Sequence, residues 1–452
     1  MSFKSINPYN QEVLNEFPAL SDREIAAKIS LAETAFENWK KTNYSQRRER
    51  LMRLGELLEE RADAYARTIT LEMGKTLAEA RGEVLKCTTL CEFYAREGEA
   101  FLQPESVPTE MYKSYIRFDP IGAVLGIMPW NYPFWQVLRY AVPAIMAGNV
   151  ALLKHSPNVP QVAIDLEQLF LDAGFPEGIF QSLLIFVSDV QDVIKSPIVQ
   201  GVTLTGSGRA GAAVASIAGK QVKKTVLELG GSDPFVVLAD ADIEKTLEVA
   251  VKARFQNAGQ SCIAGKRFIV VDPIFEEFAQ AFQEHVAGLV QGDPMNPATQ
   301  LGPMARLDLA QSLKRQLQES MEEGAMLLTG GTCEGANFQP TLLAHVVPGM
   351  TAFHEETFGP LAALIRASDV REAIALANQS EYGLGASVWT QDLERAQALA
   401  SEIDSGAVFV NGLVRSDPRL PFGGIKKSGY GRELSGYGIR EFVNVKTVVI
   451  ER

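Results

Sequence analysis

Apolar positions along the chain change period, and the changes divide it. Over residues 21–41, Ile25, Ile29, Ala32, Phe36 and Trp39 recur at spacings of four and three, which places them on one face of a helix. Ser21 and Glu24 stand where a capping box would close its first turn. Residues 45–102 continue the helical texture, with Arg and Glu as a solvated face. From about residue 121 the pattern switches. Apolar runs of strand length at 121–128, 150–154, 179–185, 202–205 and 225–229 alternate with helical stretches at 133–147, 160–173, 189–196 and 209–220. This alternation predicts an α/β fold: a parallel sheet with helices on both faces, binding its ligand at the carboxyl ends of the strands. A second alternating block has strands at 234–239, 266–271, 361–365, 385–390 and 406–410, and helices at 242–257, 275–290, 305–323, 369–378 and 392–402. Residues 111–118 and 441–450 alternate like strands outside both blocks, and pairing with another subunit suits them. The Pro/Gly-rich stretch 415–432 reads as a long loop, a kind of segment that often carries function.

Composition narrows the class. With 452 residues, 46% of them hydrophobic, the chain can bury more than one core. A net charge of −12 repels nucleic acid and anionic membranes, so neither is an expected partner. Four cysteines, at 87, 91, 262 and 333, are too few for a disulfide scaffold. Cys87 and Cys91 lie one helical turn apart without a further Cys or His pair, so no metal is expected. Together with Cys333 they read as reduced, packed thiols. The first residues, MSFKSINPYN, show no basic region leading into an apolar run. No stretch approaches the roughly 18 apolar residues of a spanning helix, and a cytoplasmic location is the expectation.

The search for a nucleophile leads to one place. There is no GxSxG elbow, and His354-Glu355-Glu356 has Phe358 where a zinc helix would need a second His. Cys262 sits in FQNAGQSCIAGKR (255–267), a small-residue turn between a helix and a strand. Gly259 and Gly265 allow close backbone approach, and Lys266 and Arg267 would favour a thiolate. By itself, a cysteine in a loop is more often structural than catalytic.

Its context supplies more. PWNYPFWQ (129–136), LLKHSPNVP (152–160), TGSGRAG (205–211), LELGGSDP (227–234), GQSC (259–262), EETFGP (355–360) and PFGGIKKSGYGRE (421–433) resemble the aldehyde dehydrogenase superfamily in order and spacing, from the N-terminal helices to the tail. LKHSPN, the apolar helix bearing Arg139, and SDPRLPFGG are similar to its succinate-semialdehyde dehydrogenase branch. The resemblance implies a Rossmann-like cofactor domain (1–106 and 121–227), an α/β catalytic domain (228–433) and a small β oligomerisation element (107–120 and 434–452), assembled as a homodimer or homotetramer.

It also implies roles. Cys262 would add to an aldehyde carbon as a thiolate, and Asn131 with the Cys262 backbone N–H would hold the oxyanion. Hydride would pass to NAD or NADP, and Glu228 would activate water against the thioester. Ile127, Trp130, Lys154, Pro157, Gly206, Ser207, Gly211, Glu356 and Phe358 would form the cofactor site, with Glu356 on the ribose hydroxyls. Trp135, Arg139, Ser261 and the 415–419 loop, including Ser416, would shape the substrate pocket.

Two positions depart from the common pattern or specialise it. Pro157 stands where NAD-preferring members carry Glu. A proline cannot accept ribose hydroxyls and does not repel a 2′-phosphate, which Lys154 with His155 or Ser156 could meet. Arg139, in an otherwise uncharged helix, calls for an anion: the carboxylate of a semialdehyde substrate, or a distant internal acid. Two alternatives stay open, a coenzyme A-acylating dehydrogenase and a structural protein retaining the fold. The presence of Glu228 disfavours the first, and the set Cys262, Glu228 and Asn131 the second.

Overall fold

The structure, a computed structural model, describes residues 2–452. Ser21 caps the helix Asp22–Trp39 through the expected box, and the apolar stripe buries Ala32, Phe36 and Trp39. The helical texture of 45–102 resolves into three helices, Tyr44–Glu60, Ala62–Met73 and Leu77–Phe101. The second stops at Gly74, whose φ of 86° belongs to the left-handed region that ends helices.

Two sheets follow from the two alternating blocks. The first has six strands in the order Gly429–Tyr430, Lys224–Glu228, Val199–Thr205, Ala123–Met128, Val150–His155 and Phe180–Ser182. Its pairs are parallel except at the Gly429–Tyr430 edge. That edge strand comes from the stretch expected to be loop within the second domain. The second sheet has seven strands, ordered Met326–Thr329, Thr341–Ala344, Leu361–Ala367, Gly265–Val271, Asp233–Val237, Gly385–Trp389 and Ala407–Val410. Again only one edge, Met326–Thr329, runs antiparallel. Near-continuous burial along the central strands is what a parallel sheet covered on both faces requires.

The two strands outside both blocks pair with each other. Lys113–Pro120 and Val443–Ile450 are antiparallel from Val443↔Pro120 to Ile450↔Lys113, with Glu105–Ser106 as a third strand. Pairing with another subunit is therefore not what occupies their shared edge. The hairpin of Ser2–Ile6 and Val13–Pro18 has no counterpart in the sequence expectations. Its second strand is almost wholly exposed, so no apolar alternation marked it.

The layout fixes one locus. The first-sheet strands ending at Met128, Thr205 and Glu228 share an edge, while Asp233–Val237 and Gly265–Val271 start the second sheet side by side. The short connection 229–232 joins the end of one sheet to the start of the other. Among the described residues, no helix is long and apolar enough to cross a membrane.

Candidate active site

A cavity of about 460 Å³ opens at this junction, and both Cys262 and Asn131 line it. Ile127, Trp130, Lys154, Pro157, Gly206, Ser207, Glu356 and Phe358 line it too. Gly211 does not. It lies inside the helix Gly208–Lys220, where an added Cβ would come within 2.6 Å of the Leu229 side chain. Gly211 thus serves close helix packing instead of touching a ligand.

The segment before Cys262 is conformationally costly. Asn257, Ala258 and Gly259 all have positive φ, at 56°, 51° and 70°. For the two non-glycine residues this is a strained region that the surroundings must hold. The Asn257 side-chain amide donates to Asn131 O at 2.8 Å and Gln260 O at 3.1 Å, while Glu79 accepts its backbone N–H. The Gln260 side chain receives the Ala305 N–H at 2.9 Å. Asn131 Nδ2 donates to Gln260 O at 3.0 Å, which sets its amide beside the cysteine turn and leaves a second N–H uncommitted. Sequence alone did not single out Asn257, Gln260 or Glu79. Their roles depend on contacts across the fold.

Charge around the thiol differs from expectation. Lys266 donates to the carbonyls of Ser261 and Cys262, at 3.0 and 2.8 Å, and lies 3.6 Å from Glu356. Arg267 instead points away, to the carbonyls of Ser232, Leu376 and Ala377. Successive residues of a strand face opposite sides, so only one of this pair could serve Cys262. Burial pushes the Cys262 thiol up to about 12, against the pull of Lys266 and Arg139. Burial thus favours the neutral thiol at Cys262.

Glu228 ends its strand almost fully buried, and neither carboxyl oxygen has a hydrogen-bond partner. It neighbours the cavity-lining residues Thr205, its strand partner, and Leu229, but does not itself line the cavity. Burial first, and then the nearby Glu433 carboxyl, raise its pKa well above the usual carboxylate range. Glu433 forms an ion pair with Arg139, both within the protein interior. Of the two anions open for Arg139, the structure supplies the internal one. Every residue of its helix, Trp135–Met146, is buried, its guanidinium is taken by an internal acid, and it packs over the Phe422 ring at 4.7 Å.

On the opposite side, the features suit a nucleotide with phosphates. Ser207 caps the helix Gly208–Lys220 at the cavity, receiving Ala210 N–H at 3.3 Å. The first N–H groups of such a helix favour anions. Lys154 is buried on the cavity wall with no ion-pair partner among the described residues, and desolvation lowers its pKa. Such a cation is stabilised by a bound anion. Ser156 and Pro157 adjoin it on the wall. His155 does not: its ring nitrogens face the carbonyls of Met128 and Pro133 at 3.2 and 3.1 Å. Burial holds its pKa down at about 4, so it is neutral and unavailable to a phosphate. Glu356 accepts Gly231 N–H at 3.0 Å, and a Cβ at Gly230 would displace its carboxylate, which it would approach to 2.5 Å.

The remaining substrate candidates do not line the cavity. Ser261 is buried, with its carbonyl on Lys266. Trp135 is buried, and its indole N–H finds no acceptor. Ser416 accepts a hydrogen bond from Lys86 at 2.7 Å.

Comparison with known proteins agrees with this geometry. The aldehyde dehydrogenase family model matches residues 1–448. A probable succinate-semialdehyde dehydrogenase [NADP(+)] of Synechocystis sp. is 48% identical over 453 residues, covering all of both chains. The succinate semialdehyde dehydrogenase [NAD(P)+] of Escherichia coli K12 is 46% identical, over 99% of this chain and 98% of its own. The crystal structure of succinic semialdehyde dehydrogenase from Streptococcus pyogenes in complex with NADP+ superposes over 100% of both chains with a TM-score of 0.98 at 36% identity. With Cys262, Asn131 and the Ser207-capped helix end around one cavity, and a family match over nearly the whole length, the chain belongs to the aldehyde dehydrogenase family.

Proposed function

We propose that this protein oxidises succinate semialdehyde to the dicarboxylic acid with NADP+, and less well with NAD+, as hydride acceptor. The observation that carries the reading is one cavity holding Cys262 and Asn131 together with Lys154 and the Ser207-capped helix end. The relatives named above supply the substrate and cofactor class.

Cys262 Sγ bonds to the aldehyde carbon as the thiol proton passes to solvent water and the carbonyl π electrons move onto oxygen. The free N–H of Asn131 Nδ2 and the Cys262 backbone N–H receive the oxyanion. Bound nicotinamide dinucleotide supplies the acceptor for the hydride that departs as the thioester forms. Lys154, Ser156 and the helix end hold its phosphates, Pro157 leaves room for a 2′-phosphate, and Glu356 holds ribose hydroxyls. Glu228, once ionised, then turns toward the thioester and takes a proton from water. The water oxygen bonds to the acyl carbon, the C–S bond breaks, and Cys262 regains its proton. Retention of Glu228 favours the free acid over a coenzyme A thioester as product.

The domain division at residue 228 and assembly through 107–120 and 434–452, as a dimer or tetramer, complete the reading. The test is NADPH absorbance at 340 nm with an aldehyde panel. Succinate semialdehyde with NADP+ should give the highest kcat/KM. No aldehyde-dependent signal with either cofactor would overturn it in favour of a structural role. A thioester appearing only with coenzyme A would favour the acylating alternative.

A further inference from the structure

Lys86, on the helix Leu77–Phe101, has no ion-pair partner among the described residues. Its ammonium lies 3.8 Å from the centroid of the Trp135 ring and donates to Ser416 Oγ at 2.7 Å. Neither partner is an anion. The nearby acids are occupied. Glu83 pairs with Lys75 at 2.6 Å and accepts the backbone N–H groups of Phe134 and Trp135. Asp417 is held by the Arg419 guanidinium and backbone N–H. The Cys87 thiol is fully buried and kept neutral by desolvation. Arg139 adds like charge but is itself paired with Glu433.

A largely desolvated ammonium without a counter-ion is unfavourable, and a buried indole N–H without an acceptor adds to the cost. One carboxylate relieves both. Trp135 also belongs to the segment that carries Asn131, whose amide meets the turn of Cys262. We propose that Lys86, with Ser416 and the Trp135 indole, forms the subsite that reads the distal carboxylate of the aldehyde, in place of Arg139. The substrate class is then the short aldehydes with an ω-carboxylate. This inference rests on the proposed dehydrogenase function.

Burial, and then Arg139, bring the Lys86 pKa down to about 8. The charged form therefore fades in mildly alkaline solution unless a carboxylate restores it.

The test compares succinate semialdehyde with butanal, which has the same carbon count and no carboxylate, in the wild type, K86M and K86R. K86M should lower kcat/KM for succinate semialdehyde by roughly ten- to a hundredfold, mainly through KM, and leave butanal unaffected. K86R should recover most of the loss. Wild-type KM for succinate semialdehyde should rise above about pH 8 while that for butanal stays flat. Should K86M fold poorly, K86Q provides the same comparison. Equal losses for both aldehydes would make Lys86 a support for Trp135 only, and unchanged selectivity would remove it altogether. A wild type indifferent to the carboxylate would instead overturn the functional reading, and the subsite with it.

Discussion

Glu228 is a buried acid with no hydrogen-bond partner, which ties activity to a stability cost. Its folded pKa is raised, so the fold binds its proton more tightly than the unfolded chain does. That contribution is complete below the ordinary value of 4.5 and is lost as pH rises toward the elevated folded value. E228Q should therefore be more thermostable than the wild type at neutral pH, by about 1–2 kcal/mol, with the gap widening as pH increases. The same variant should give a burst of NADPH followed by turnover slowed roughly 10²–10⁴-fold. A smooth progress curve without a burst would remove Glu228 from deacylation. Across the cavity, P157E places a carboxylate where the sugar would bind. It should shift the kcat/KM ratio from NADP+ toward NAD+ by roughly tenfold or more, through repulsion of the 2′-phosphate and acceptance of free hydroxyls. That Cys262 and Asn131 meet at one cavity was legible because their motifs are local. Glu433 as the partner of Arg139 was not, because the two are joined only by the fold. Arg267 misled because closeness to Cys262 in sequence ignores which face of a strand a side chain takes.

Elements that repeat a simple period were read well. The helices Asp22–Trp39, Pro160–Asp172 and Gly208–Lys220 fall within a residue or two of their expected bounds. Met326–Thr329 and Thr341–Ala344 were missed: they are short, and one is a half-exposed edge. The left-handed run at 257–259 was also hidden, since only its glycine announces such a backbone. That run aims Cys262, and it tolerates little change. A Cβ on Gly259 would come within 2.3 Å of Gly359 O while φ is 70°. G259A should cost about 1–3 kcal/mol in a denaturant titration and depress kcat for every aldehyde alike. An unchanged midpoint would show that the loop relaxes freely.

At the scale of the molecule, the three-stranded sheet leaves one edge of Val443–Ile450 unpaired within the chain. Val445, Val449 and Ile450 on that strand are exposed, at 57%, 49% and 41%. An apolar, open strand edge suits a second copy. V445E/V449E should shift sedimentation toward the monomer while the far-UV spectrum is retained, and an unchanged sedimentation coefficient would place the interface elsewhere. The same pairing sets an order of events during synthesis. Lys113–Pro120 emerges from the ribosome long before Val443–Ile450, and the first sheet likewise waits, though less long, for the Gly429–Tyr430 edge that pairs with Lys224–Glu228. Until then the nascent chain carries two unsatisfied strand edges, open to neighbouring chains on a polysome. Yield in the cell should thus depend on how quickly the last strands arrive and on what shields the early ones meanwhile.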